Sequence, residues 1–264
     1  MREVKLYFRL AGAHVRSAMQ HRGSFIMSVV RNGISSFGDL ARLLLLGFAF
    51  GAMGGWSEAE IAVLYGIVTL SFALASALGA GLFSFSGMVR MGDVDRLMMR
   101  PHSVLFQVVA SKLDFTRFGR LTMGVVGLVY GIVLQPQPFH AAQYGMIALC
   151  IVSGVMLFMG VLLLQGATSF WTVEGMEAFN ALTYGGIAMA SYPLEIYKNW
   201  LRDFFMYIIP LGFLNYLPAM MLFGKELPYP AWMAYMAPVA GGAFLAVGIA
   251  VWQLGVRHYR STGA

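Results

Sequence analysis

Long apolar runs separated by short polar stretches organise this chain. Residues 61–88 and 143–171 contain no Asp, Glu, Lys or Arg, and each exceeds the roughly 20 residues a bilayer-crossing helix requires. Together with less uniform runs at 33–54, 121–135, 203–223 and 232–254 they predict six transmembrane helices. The run at 33–54 carries Asp39 and Arg42. Their i, i+3 spacing lets an intramembrane ion pair neutralise itself on one helix face, so a structural role is expected before a substrate contact. Gly66, Ser71, Ala75, Gly79 and Gly81 in the second run suit close helix packing. The third run ends at Gln135-Pro136-Gln137-Pro138, and Pro210 and Pro218 fall inside the fifth, which predicts a bent or broken helix wherever protein buries it. Apolar residues 178–190 are too few to span and predict a cytoplasmic-side interfacial or partly inserted helix.

Ahead of these runs, Val4, Phe8, Ala11, Val15 and Met19 recur at helical spacing while Arg2, Lys5, Arg9, Arg16 and Arg22 take other faces. Residues 1–31 therefore predict an amphipathic helix lying in the membrane interface. Basic residues then fix an orientation. Six of the 18 fall in 2–31 and six more in 90–120, whereas 53–60 and 136–143 hold none. The positive-inside rule places both termini and the 89–120 loop in the cytoplasm, with Lys225 the basic residue outside.

Composition agrees with that picture. Hydrophobic residues make up 59% of the chain and charged ones 11%, against roughly 25% charged in a soluble domain. One integral membrane domain over 1–264 is expected, without an appended soluble enzyme or a cleavable signal peptide. The +6 net charge is juxtamembrane and suits anionic lipid headgroups, not nucleic acid. Cys150 is alone and five histidines are scattered, so no disulfide, metal site or catalytic constellation is expected. Gly224-Lys225 is followed by Glu226 in an outer loop and makes no phosphate-binding loop. No cofactor is expected in the chain, and any energy must come from a partner.

The densest local signal is Gly92-Asp93-Val94-Asp95-Arg96-Leu97-Met98-Met99-Arg100-Pro101. Asp93 is expected as N-cap, Asp95 favours the first turn through the helix dipole, and Pro101 stops the helix near Arg100. An ordinary solvated loop is the plain alternative. Aromatics and methionines, among them Phe48, Phe72, Phe83, Tyr130 and Phe158, mostly suit lipid contact and packing. Asn215 and Tyr216, with Phe213 and Met220, are the candidates for a substrate pathway, since a bent span exposes backbone that needs a partner.

The 92–101 segment, Ser191-Tyr192-Pro193-Leu194-Glu195-Ile196-Tyr197, the run from Ile209 through Pro210 to Ala219, and Gly255-Val256-Arg257-His258-Tyr259-Arg260 stand in a characteristic order along the membrane. In that order the whole chain resembles a permease subunit of the type-two ABC transporters of bacterial exporters. The resemblance implies a coupling helix at Asp93, Asp95, Arg96, Leu97, Arg100 and Pro101 that docks on a separate ATP-binding subunit holding ATP and Mg. It also implies two copies of that ATPase, a second related permease forming a heterodimer, and residence in the bacterial inner membrane as a multi-pass protein. No substrate transfers with it. The competing readings are a non-transporting scaffold or assembly protein and a self-sufficient secondary transporter.

Overall fold

The computed structural model describes residues 22–50, 54–112, 114, 117–172 and 175–259. Most of these are helical, with no strand among the described residues. The interfacial helix expected over 1–31 lies outside them up to residue 21. From Arg22 onward it is continuous with the first span, as the helix α1 (Arg22–Phe50).

A capping box opens α2 (Glu58–Leu78): Ser57 Oγ accepts from the Glu60 N–H and Glu60 accepts from the Ser57 N–H at 2.7 Å. Every residue from Ile61 to Ala73 is buried, as expected of a helix that is apolar all round. The other long helices assemble around this strut. The run predicted to continue to residue 88 instead breaks at Gly79 into α3 (Ala80–Phe83) and, after Ser84, α4 (Phe85–Arg90). A short hairpin follows, α5 (Asp93–Met98) and α6 (Val104–Ala110). A Cβ on Gly81 would run into the Val108 carbonyl, so this glycine lets α6 close on α3.

Next come α7 (Phe118–Val133), α8 (Ala141–Thr168) and α9 (Gly175–Ala190). The buried positions of α7 are all glycine, namely Gly119, Gly124, Gly127 and Gly131. A Cβ on Gly127 would lie 2.7 Å from the Tyr65 ring and one on Gly131 2.6 Å from the Ala59 carbonyl. Where lipid offers no hydrophobic drive to helix association, such small-residue faces permit the close van der Waals contact that replaces it. The last helix, α12 (Ala237–His258), runs alongside α8, with Gly241 against the Ser153 carbonyl and Gly248 against Gly160.

By length and composition α2, α8 and α12 can each cross a membrane, and the bent pair Asn199–Ile208 and Gly212–Leu222 would make a fourth. The helices α7 and α9 are shorter, at 16 residues each, and α1 has 29 but carries its charged pair. The two ends of the bundle are distinct. Trp56, Pro136 and Lys225 mark an upper end, α5 and α6 a lower one.

The segment predicted as a fifth span at 203–223 does not run from one end to the other. Before it, Glu195 accepts a hydrogen bond from Trp56 Nε1 at 3.3 Å. After it, Lys225 donates to the Gly55 carbonyl at 2.8 Å and pairs with Glu60 at 3.0 Å. Both flanks are therefore at the upper end. Between them α10 (Asn199–Asp203) and a π-helical turn over 204–208 descend. Ile209 is extended, Pro210 supplies no N–H, and a second π turn over 212–216 returns the chain into α11 (Leu217–Leu222). The two limbs meet at 83°. A Cβ on Gly154, midway along α8, would lie 3.2 Å from Leu214, so the hairpin reaches the middle of the bundle.

The end-to-end path belongs to α9. Near its start Asn180 Oδ1 accepts from Gln165 Nε2 at 2.7 Å, close to the lower end of α8. At its last residue the Ala190 carbonyl accepts from Asn215 at 2.8 Å. Residues 190–202, expected on the cytoplasmic side, thus share the upper end with Lys225. That moves Lys198 and Arg202 there as well and leaves the charge asymmetry less complete than the sequence pattern indicated.

Candidate functional site

Two regions gather polar chemistry. At the lower end, Gly92 is the residue before α5, and its φ of +72° favours glycine. Asp93, expected as the N-cap, is instead the first helical residue, and its carboxylate stands 3.5 Å from Arg96 Nη1. The hairpin is anchored from beneath. Val94 is fully buried with Val104 and Val108 among Phe85, Leu163 and Trp252. Gln107 Nε2 donates to the carbonyls of Leu97 and His102, both at 2.8 Å, which fastens α6 to the end of α5. Ser103 caps α6 through the Phe106 N–H.

Of the six predicted coupling residues, Leu97 packs inward against this lower core. Asp95 lies beside Tyr259, and burial and that carboxylate push the Tyr259 phenol above its ordinary value. Arg96, Arg100 and Pro101 are exposed, and Met99 stands 80% exposed beside them. The helix ends at Met98, earlier than expected, because Met99 and Arg100 already form a turn before Pro101.

Higher in the bundle, a cleft of about 250 Å³ lies between α1, α2, α7 and α9. Asp39 and Arg42 line it, 2.5 Å apart, and their side chains remain 49% and 66% exposed. The predicted pair therefore forms, on a cleft wall. Arg120 joins it from the first turn of α7, 5.2 Å over the Phe72 ring and 5.7 Å from the Tyr184 ring. Sequence reasoning counted Arg120 with the cytoplasmic loop charges. Its position inside a helix that also carries the glycine face was the missed signal.

The residues expected along a substrate pathway do not meet this cleft. Asn215, Tyr216 and Met220 are buried, and Phe213 packs against the same core. Asn215 Nδ2 donates to the carbonyls of Leu64 at 3.2 Å and Ala190 at 2.8 Å, while the Tyr216 hydroxyl donates to Glu195 at 2.6 Å. They hold the hairpin in place. Phe48 lies where no side chain is described.

Buried glycine seams, a helical bundle with apolar spans and a hairpin entering from one end define a multi-pass membrane protein. Over residues 34–263 the sequence matches the family described as ABC-2 family transporter protein, and the chain belongs to that family. It is the membrane-embedded permease of an ABC transporter, a kind of subunit that works with an ABC ATP-binding subunit. No curated protein and no solved structure matches it.

Proposed function

We propose that the chain is one membrane half of an ATP-driven bacterial exporter, with α1, α2, α7, α8, α9 and α12 as its six crossings. The lower end is cytoplasmic, a reading supported by Arg90, Arg96, Arg100, Lys112, Arg117 and Arg257 near it. ATP and Mg are bound and hydrolysed by a separate subunit, present in two copies. A second, related permease completes the pathway, and the cytoplasmic membrane is the site of action.

The observation that carries this reading is the α5–α6 hairpin. Its underside is fixed in the lower core through Val94, and its tip offers Arg96, Met99 and Arg100 to a partner. A short element held rigidly to several long helices converts motion of a docked ATPase into displacement of the bundle. The test is co-purification with an ATP-binding subunit that contains a phosphate-binding loop. Reversing Arg96 and Arg100 to Glu should abolish co-purification while membrane yield and thermal melting stay at the parental level. Undiminished co-isolation by the double variant would falsify the docking assignment.

A further inference from the structure

The cleft between α1, α2, α7 and α9 has a charge imbalance that helix packing does not require. Asp39 and Arg42 pair with each other on α1. Arg120 has no carboxylate within ion-pair distance among the described residues. Two guanidiniums against one carboxylate leave the cleft one positive charge in excess. A guanidinium inside an apolar bundle is costly unless something compensates it. Phe72 and Tyr184 do so only in part, through their ring faces. The Nε contact to Ser36 Oγ is long, at 3.4 Å, and Nη1 is buried without a hydrogen-bond partner among the described residues.

An arginine in that condition is a donor lacking an acceptor. Ser36, which accepts from Nε, keeps its own hydroxyl proton to donate to the same acceptor. The surroundings then choose the rest of the molecule. Among the described residues the helices α1 and α9 are not closely packed against each other. Apolar side chains of α9 line the cleft beside this floor, Ile187, Ala188 and Tyr184, the last of them 42% exposed. A polar floor carrying one net positive charge thus opens sideways onto an apolar, aromatic rim. Room for about 250 Å³ suits a headgroup and the first carbons of a chain, whose remainder continues outside.

We propose that this cleft binds an anionic amphiphile, its phosphate or carboxylate on Arg120 and Ser36 and its apolar chain leaving along α9 across Tyr184 and Ile187. A neutral headgroup leaves the Arg120 charge uncompensated, and a cationic one is repelled by it. Resting on the permease reading, this names the class of cargo. A membrane lipid that stays bound has the same chemistry, and the experiment separates the two.

The purified permease with its ATP-binding subunits, in nanodiscs of phosphatidylcholine alone, is titrated with a fluorescent single-chain phosphate amphiphile and with the uncharged monoacylglycerol of the same chain length. Saturable binding of the phosphate form is expected, about ten-fold tighter than the monoacylglycerol. Arg120→Gln should remove that preference, Arg120→Lys should keep part of it, and Arg257→Gln should leave it intact. Equal affinity for the two amphiphiles, or an unchanged preference in a folded Arg120→Gln protein, overturns the site. Should Arg120→Gln fail to fold, the comparison of the two amphiphiles on the parental protein by native mass spectrometry decides alone. ATP-dependent movement of the bound amphiphile between leaflets identifies it as cargo, and binding without movement as a resident lipid. Failure of the Arg96 and Arg100 reversal to disturb co-purification, with phosphate-selective binding intact, would overturn the proposed coupling and leave the site standing.

Discussion

Asn215 carries more of the architecture than its size implies. Its amide nitrogen bridges two carbonyls on different elements, Leu64 on α2 and Ala190 at the end of α9, and so ties the hairpin to both. Replacing it with Leu keeps the volume and removes both bonds, with an expected loss of about 1–2 kcal/mol. A lowered melting temperature in detergent checks this, and a temperature equal to the parent would refute it. The sequence argument looked for partners of backbone freed by the bend, whereas the bonds observed run from the Asn215 side chain to carbonyls outside the bent segment. The partners are carbonyls of the same chain, which distance along the sequence concealed. Gly131 poses the opposite problem, since any side chain there meets the Ala59 carbonyl and Val63. Gly131→Leu should cost about 1–3 kcal/mol through forced separation of α2 and α7, again read by melting.

Among the elements, the α5–α6 hairpin separates anchoring from contact. Val94 and Arg96 are two residues apart on one short helix, yet one is fully buried and the other exposed. Val94→Asp places an unpaired charge in the lower core and should lower the melting temperature as well as the yield. Arg96→Glu should leave both unchanged and weaken ATPase docking. If Val94→Asp melted like the parent, the hairpin would not be seated as described. Much of this element was legible in the sequence, because the Asp-rich start, the apolar triplet and Pro101 are local signals. The position of Gly92 before the helix, and the inward turn of Leu97, depend on packing against α6 and α12 and leave no local trace. The glycine face of α7 was legible in principle, at positions 119, 124, 127 and 131. Its spacing became meaningful only once α2 was known to lie against it.

At the scale of the molecule, the sequence pattern and the packing of the bundle assign one passage differently, for a physical reason. Apolar residues 178–190 fall short of bilayer length and 203–223 match it, so counting selects the second as the crossing. The contacts within the bundle favour the first. The helix α9 extends from Gln165 near the lower end to Asn215 beneath the upper one, with glycine at 186 admitting Phe205 and Leu211 closely. The longer run is folded back by Ile209 and Pro210, and a network at the upper end grips both its flanks. Lys225 sits 4.6 Å over the Trp56 ring and pairs with Glu60, while Trp56 and Tyr216 share the Glu195 carboxylate. A direct consequence concerns membrane sidedness. Cysteines introduced singly at Ser57, Lys198 and Glu226, in a Cys150→Ala background, should all react with a membrane-impermeant maleimide added from the same side. A cysteine at Met99 should react only from the other. A crossing at 203–223 would divide 198 from 226, because a helix entering at one face must leave at the opposite one. Labelling of Lys198→Cys together with Met99→Cys would therefore restore the fifth span to 203–223 and remove α9 from the membrane path.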